Sequence, residues 1–455
     1  HAANELARYV EAMTGSTVAR LPAGGEPPAN AAVFRLRLMA ELPALGDVDP
    51  ARRADGFVVR TAADGALDIT ALNPRALLYA VYHYLEFHCG AGFFWDGERV
   101  PRGTPPVAEI DDAQAPRWPK RHFGLSSPWG LAKYHHQFRT MKHRKQILDW
   151  MAKRKLNWTA QVFYPTIASA GAVAQRVFDL KEEPTRFTFD GWPGLYGLPA
   201  RMRTKIIKEE MAYARARGIK YIYYISYGTL PPVFRERYPD YPYMQDIGYG
   251  STTVYPDSEE AREWFRRFVH AIVEEHGTDH VYHDTPLVES TGTDDLDQAF
   301  QYKAEAAERM YALFRALDPE AVWEWDTWDW SALPALWTEA RMAQYLALLP
   351  DEHMTVYDLL DFDTDHAPPY YEMSNYFGPA PWYVGLLHAF QGEDHLHGDL
   401  AGVSAMLSRL ADGKAGGLAG LYHAPETTGH NQLYFQYTAQ LSWNPKMTVE
   451  AFLED

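Results

Sequence analysis

From Arg121 onward the chain alternates, about eight times, between a short run rich in β-branched and aromatic residues and a longer amphipathic segment with helical spacing. Parallel strands need a crossover of a dozen or more residues, usually a helix, so this alternation predicts a parallel sheet covered by helices. The strand-like runs are HFGLS, NWTAQVF, KYIYYIS, HVYHD, AVWEW, MTVYDLL, WYVGLLHAF and LAGLYHA. Helical segments between them include RKQILDWMAKR, KIIKEEMAYARARG, EEAREWFRRFVHAIVEEHG, DQAFQYKAEAAERMYALFRALD, EARMAQYLALL and LAGVSAMLSRLADG. A doubly wound open sheet fits the same alternation, but no Gly-rich phosphate turn follows any of these runs. The expectation is therefore an α/β fold: a closed (β/α)₈ barrel over residues 121–455. The stretch from Tyr164 to Pro199 is too long for a simple connection and is expected to wall the site.

At 455 residues the chain exceeds one ordinary core, and a smaller unit is expected before the barrel. Residues 1–110 read as a small α/β domain. Leu6, Tyr9, Val10 and Met13 follow helical spacing, FVVRT and ALDIT are strands around Asp64-Gly65, and RALLYAVYHYLEFHCG is a second helix. Residues 111–120, in a stretch rich in Pro and charge, read as a linker. The sequence opens at His1 directly into a helical pattern, the expectation for a start that is either processed, as by removal of a signal peptide, or truncated.

The net charge of -17 opposes polyanions, so nucleic acid is not an expected partner. No apolar run is long enough to span a membrane, and a soluble protein, secreted or cytoplasmic, is expected. The single cysteine, Cys89, excludes an intrachain disulfide and a multi-cysteine zinc site, and is expected to be a small buried apolar residue. Aromatic residues make up 14% of the chain, enough for a large core and also for stacking on the apolar faces of sugars.

In such barrels the site lies at the carboxyl ends of the strands, where this sequence is dense in polar residues. Asp284, Thr285 and Glu289 follow the fourth strand, Asp326 and Trp328 the fifth, and Asp361, Asp363 and Asp365 the sixth. His388, Glu393, Asp394 and His395 follow the seventh; His423, Glu426 and His430 belong to the eighth. Strands four and eight face each other across the mouth, so Glu289 and Glu426 are placed to flank one glycosidic bond. One carboxyl group would protonate the leaving oxygen while the other attacks the anomeric carbon. Equally, a single strand-end glutamate fits a rim salt bridge. Tyr227, at the end of the third strand, is a candidate to reach ligand. Alternation sends Trp323 and Trp325 to one face of their strand and Glu324 and Asp326 to the other, leaving Trp328 as the candidate for sugar stacking.

Longer motifs sharpen this reading. RKQILDWMAKRKLNWTAQVF, EEHGTDHVYHDTPLVES and LYHAPETTGHNQLYFQYTAQLSW, together with WYVGLLHAF and the tryptophan of WEWDTW, resemble segments of glycoside hydrolase family 89, the α-N-acetylglucosaminidases, in the correct order. The resemblance runs from about Arg121 to the end, and the first 110 residues resemble the small domain preceding the barrel in that family. It implies a retaining, exo-acting α-glycoside hydrolase without cofactor or metal. Glu289 would be the acid/base and Glu426, in Pro425-Glu426, the covalent nucleophile, with substrate-binding roles passing to Trp328 and His388; Asp284, Asp326, Glu393, His395, His423 and Tyr227 are candidate substrate contacts from their places at the strand ends. The expected partner is a carbohydrate, an oligosaccharide or glycoconjugate.

The departures concern the sugar. The family has Asn immediately before the acid/base, where this chain has Val288; QGEDHLHGD and SSPWGLAKYHHQ replace its Gly-rich and Trp-rich loops, and its helical C-terminal domain is not present in the sequence. A different sugar at the 2-position pocket, a noncatalytic carbohydrate-binding barrel, and a metal-dependent hydrolase using His388, His395, His397, Glu393 and Asp394 are the alternatives. Lys133, His135, His136 and His143 offer a possible contact for an anionic group, or an exposed turn.

Overall fold

The helix Ala2–Thr14 buries Leu6, Tyr9, Val10 and Met13 and stops where Gly15 turns left-handed, at φ 72°. Its partner, Pro74–His83, starts at Asn73, whose side chain accepts from Ala76 N at 3.0 Å. Both pack on a four-stranded sheet built from β1 (Phe34–Leu38), β2 (Phe57–Thr61), β3 (Leu67–Ala71) and β4 (Asp111–Gln114). The order is β1-β3-β2-β4, with β1 parallel to β3 and the other two pairings antiparallel. β4 lies inside the stretch expected to link the two units, because its backbone completes the free edge of β2 before the chain leaves for the barrel.

The computed structural model describes residues 1–124, 140–163, 171–178, 200–230, 233–244, 252–348, 353–361, 369–388, 398–413, 415–425 and 431–454. Its second unit is a closed barrel of parallel strands: β5 (Lys120–Phe123), β6 (Trp158–Val162), β7 (Lys220–Tyr224), β8 (Val281–His283), β9 (Val322–Asp326), β10 (Met354–Asp361), β11 (Trp382–His388) and β12 (Leu418–Pro425). Each strand pairs with the next, and β12 closes on β5 through Gly420↔Lys120 to His423↔Phe123. The strand-like and helical runs read in the sequence are these elements. Of the insertion 164–199, the helix Gly171–Phe178 is described, and it packs on the outer helix Glu259–His276 through Phe178 and Phe268.

Alternation divides the barrel as its sequence pattern requires. Trp323, Trp325, Tyr221 and Tyr223 point outward into the shell between strands and helices. Val281, Ile222, Tyr224, Tyr357, Tyr383 and Tyr422 fill the interior. A β-carbon on Gly385 would fall 2.0 Å from the Tyr357 ring, so glycine there leaves room for the inward tyrosine.

The two units share a core. Trp443, past the last barrel strand, packs on Phe57 and Tyr79 of the small domain. Beside it the fully buried Arg121 pairs with Asp55 at 2.6 Å, and Asp55 also takes Arg75 at 2.6 Å and Asn157 Nδ2 at 3.0 Å. Burial would raise the Asp55 carboxyl, but the two guanidinium groups outweigh it and lower it below the usual range.

Candidate active site

β8 and β12 occupy opposite positions in the eight-strand ring, four steps apart in either direction. Glu289 sits in the turn after β8, half-buried, with φ 58°, and Leu287 two residues earlier has φ 52°. Two left-handed non-glycine residues in one turn cost about 1–3 kcal/mol each and persist only when their surroundings hold them. Here they are held. Lys303 Nζ donates to the Leu287 carbonyl at 2.8 Å, and Glu289 N donates to Asp329 Oδ1 at 2.8 Å. Lys303 and Asp329 themselves form a 2.8 Å ion pair with both side chains about 1% exposed, and Trp337 Nε1 donates to Asp329 Oδ2 at 2.8 Å.

The side chain of Glu289 is fixed from the next strand. Asp326, the last residue of β9, accepts from Trp328 N at 3.0 Å, which sets the start of the short helix Trp328–Ala332. From there Trp328 Nε1 donates to Glu289 Oε1 at 2.6 Å. The indole thus holds the Glu289 carboxyl group directly as a hydrogen-bond donor.

Behind Asp326 lies a buried charge that the sequence did not announce. His283, 2% exposed, places Nδ1 3.0 Å from Glu324 Oε1 and Nε2 3.0 Å from Asp326 Oδ2. Burial opposes its charge, but Asp326 and Glu324 prevail and push it up to about 9, so it is an imidazolium at neutral pH. Tyr224 stacks on the ring at 3.9 Å, and Tyr383 donates to the other oxygen of Glu324. The signal was present in the alternation of β8, which turns His283 inward beside Glu324 and Asp326.

The remaining sequence candidates fall in different places. Asp284 is buried and accepts from Tyr227 N at 2.8 Å; desolvation raises its carboxyl well above the usual range. Its bond ties the end of β7 to β8. The Tyr227 ring is also buried, packed on Phe265 at 4.9 Å in the outer shell, which makes it a packing residue in this structure. His388, the last residue of β11, is buried, stacks on Tyr434 at 4.2 Å, and its Nε2 accepts from Asn431 Nδ2 at 2.6 Å. His423 bonds the His122 carbonyl through Nδ1 at 2.8 Å. Burial pushes it down to about 4, so it is neutral, and its Nε2 has no partner among the described residues.

Glu426 follows Pro425, the last residue of β12, and lies outside the described residues, as do Glu393, His395, Asp363, Asp365, Asp394, His397, His430, Lys133, His135 and His136. His143 is exposed in the first turn of the helix Met141–Lys153. Among the described residues no helix is long and apolar enough to cross a membrane.

A family model described as the α-N-acetylglucosaminidase (NAGLU) TIM-barrel domain matches residues 188–445, more than half of the chain. Human α-N-acetylglucosaminidase is 24% identical over 479 aligned residues, 97% of this chain and 60% of that protein. Among solved structures, the family 89 glycoside hydrolase of Clostridium perfringens, determined with its substrate GlcNAc-α-1,4-galactose, superposes with a TM-score of 0.73 at 15% identity, covering 100% of this chain and 49% of that one. A β-N-acetylhexosaminidase from Bacteroides fragilis shares the fold at a TM-score of 0.58 and 12% identity, covering 94% and 83%. The chain thus spans about 60% of the human relative and about half of the clostridial one.

Proposed function

The chain belongs to the α-N-acetylglucosaminidase family, and from that premise we propose that it is a retaining, exo-acting α-glycoside hydrolase with Glu289 as acid/base and Glu426 as nucleophile. The observation that carries the reading is the grip on Glu289. A strained turn, a buried ion pair and an indole donor all converge on one carboxylate at the carboxyl end of a barrel strand, across the ring from the strand that ends at Pro425. A rim salt bridge needs none of this.

In the first step Glu426 attacks the anomeric carbon from the β face while Glu289 gives its proton to the leaving oxygen, producing a β-linked glycosyl-enzyme and the free aglycone. In the second, water attacks the same carbon from the α face as Glu289 takes its proton, and the bond to Glu426 breaks. Trp328 holds the acid's carboxyl group toward the scissile oxygen in both steps, and His283 with Asp326 fixes Trp328 from below.

The sugar is α-linked, with the 2-acetamido glucoside first and another pyranoside as the competitor. Val288 favours the competitor: it offers neither donor nor acceptor beside the acid. Turnover of a panel of nitrophenyl α- and β-glycosides tests the proposal. Release from an α-glycoside with retained configuration supports it, and activity confined to β-glycosides sinks it.

A further inference from the structure

A different cluster lies in the small domain. His83 Nε2 and His88 Nε2 both approach one oxygen, Asp112 Oδ2, at 2.7 and 3.0 Å. One potential ligand atom from each of the three residues lies within 4.8 Å of the others, the one such cluster among the described residues.

The backbone changes its winding to bring them together. Five residues apart on an α-helix, two side chains point about 140° away from each other. Between these two histidines the chain becomes a π-helix, Tyr84–His88, with Cys89 N bonded to Tyr84 O at 3.1 Å. Its looser i→i+5 winding returns residue i+5 to nearly the same face as residue i, and such π-turns are rare and concentrate at functional sites. The helix Pro74–His83 thus presents His83, and the π-turn His88, toward Asp112 on β4.

The surroundings of Asp112 suit metal ligation. Gln114 Nε2 donates to the carboxylate's other oxygen at 2.6 Å, the kind of outer bond that orients a ligating carboxylate. Lys155 lies near and opposes a cation, and Glu86 lies near with the opposite charge.

We propose that His83, His88 and Asp112 form a binding site for a divalent transition metal, zinc foremost, with water completing the shell. Two imidazoles and one carboxylate are a zinc donor set, with bonds of about 2.0–2.2 Å. Tetrahedral ligands at that length sit about 3.3 Å apart, so the rings move back by roughly half an ångström, and each shifts the proton that Nε2 donates to Asp112 over to Nδ1, freeing Nε2 for the metal. The metal would staple the end of the second helix to the edge strand β4 and would stabilise the small domain without entering the barrel's chemistry.

Titration of chelator-treated protein with Zn²⁺ by calorimetry, and with Co²⁺ by visible absorption, tests this. One equivalent bound at micromolar affinity or better, a ligand-field band with Co²⁺, a rise in Tm on adding Zn²⁺, and loss of all three in His88→Gln and Asp112→Asn support it. Uptake only at millimolar Zn²⁺, or an undiminished equivalent in both variants, overturns it. Should the variants fail to fold, carbethoxylation of the wild-type histidines decides: Zn²⁺ protection of His83 and His88 supports the site, and equal labelling overturns it. Glycoside turnover is unaffected by the metal, so failure here leaves the reading of Glu289 untouched.

Discussion

Trp328 Nε1 and Glu289 Oε1 lie 2.6 Å apart, joining the carboxyl ends of β8 and β9 through one hydrogen bond. The indole can only donate, so this contact fixes which oxygen of Glu289 is held. Trp328→Phe keeps the ring's bulk and removes the donor. The expected result is a fall in kcat of about 100–1,000-fold, the effect of losing one positioned donor, with little change in folding. Unchanged kcat with rate-limiting chemistry would remove Trp328 from the site.

The Lys303–Asp329 pair makes a different demand. Lys303→Met leaves a carboxylate buried without its partner and frees the Leu287 carbonyl. Breaking a buried pair costs about 3–5 kcal/mol, and urea unfolding should show a loss of that size together with reduced kcat. A loss below about 1 kcal/mol would mean that the turn does not depend on the pair.

His283 gives stability a pH signature. Its folded value is raised to about 9 from an ordinary 6.5, so the folded state holds a proton that the unfolded chain has released between those values. Its contribution is complete below about pH 6.5 and is lost as pH rises through about 9. Lys155, lowered from 10.5 to about 8, works in the opposite direction over its own range, so the difference between wild type and His283→Gln isolates the histidine. The wild type should lose more Tm than the variant between pH 7 and 9. Parallel curves would show that His283 is not charged.

Val288 sets the expectation for specificity. A site that hydrogen-bonds a substituent rejects analogues lacking it by roughly 10⁴-fold or more, whereas an apolar contact discriminates only by about 10–200-fold. The ratio of kcat/KM for 2-acetamido and 2-hydroxy α-glycosides is therefore expected to be modest, and Val288→Asn to raise it. A ratio of several orders of magnitude in the wild type would mean that other residues read the 2-position.

The barrel was legible because each strand and helix carries its period in its own residues: WEW reads outward-inward-outward whether or not its neighbours are known. Glu289 drew attention from its place after a strand and from the motif around it. The grip on it was not. Lys303 lies mid-helix and Asp329 one residue past Trp328, and only the closed barrel brings them under the turn. His283 carried no signal of its own in the sequence, because its partners Glu324 and Asp326 lie on the neighbouring strand. The run RALLYAVYHYLEFHCG read as one helix, because helical spacing does not distinguish a π-turn from an α-turn at its end. For the same reason the histidines after the seventh strand drew attention as a metal set, while His83 and His88 did not. Tyr227 read as a strand-end residue facing the mouth, but the bond from its backbone to Asp284 turns the ring outward.

The pair Glu289 and Glu426 is tested most directly by azide rescue on an activated α-glycoside. Without its acid/base, Glu289→Ala should still form the glycosyl-enzyme and then stall, and azide should restore turnover by attacking from the α face, giving the α-glycosyl azide. Glu426→Ala should lose turnover and, with azide, give the β-glycosyl azide. A β-azide from Glu289→Ala, or wild-type activity in either variant, would contradict the assignment.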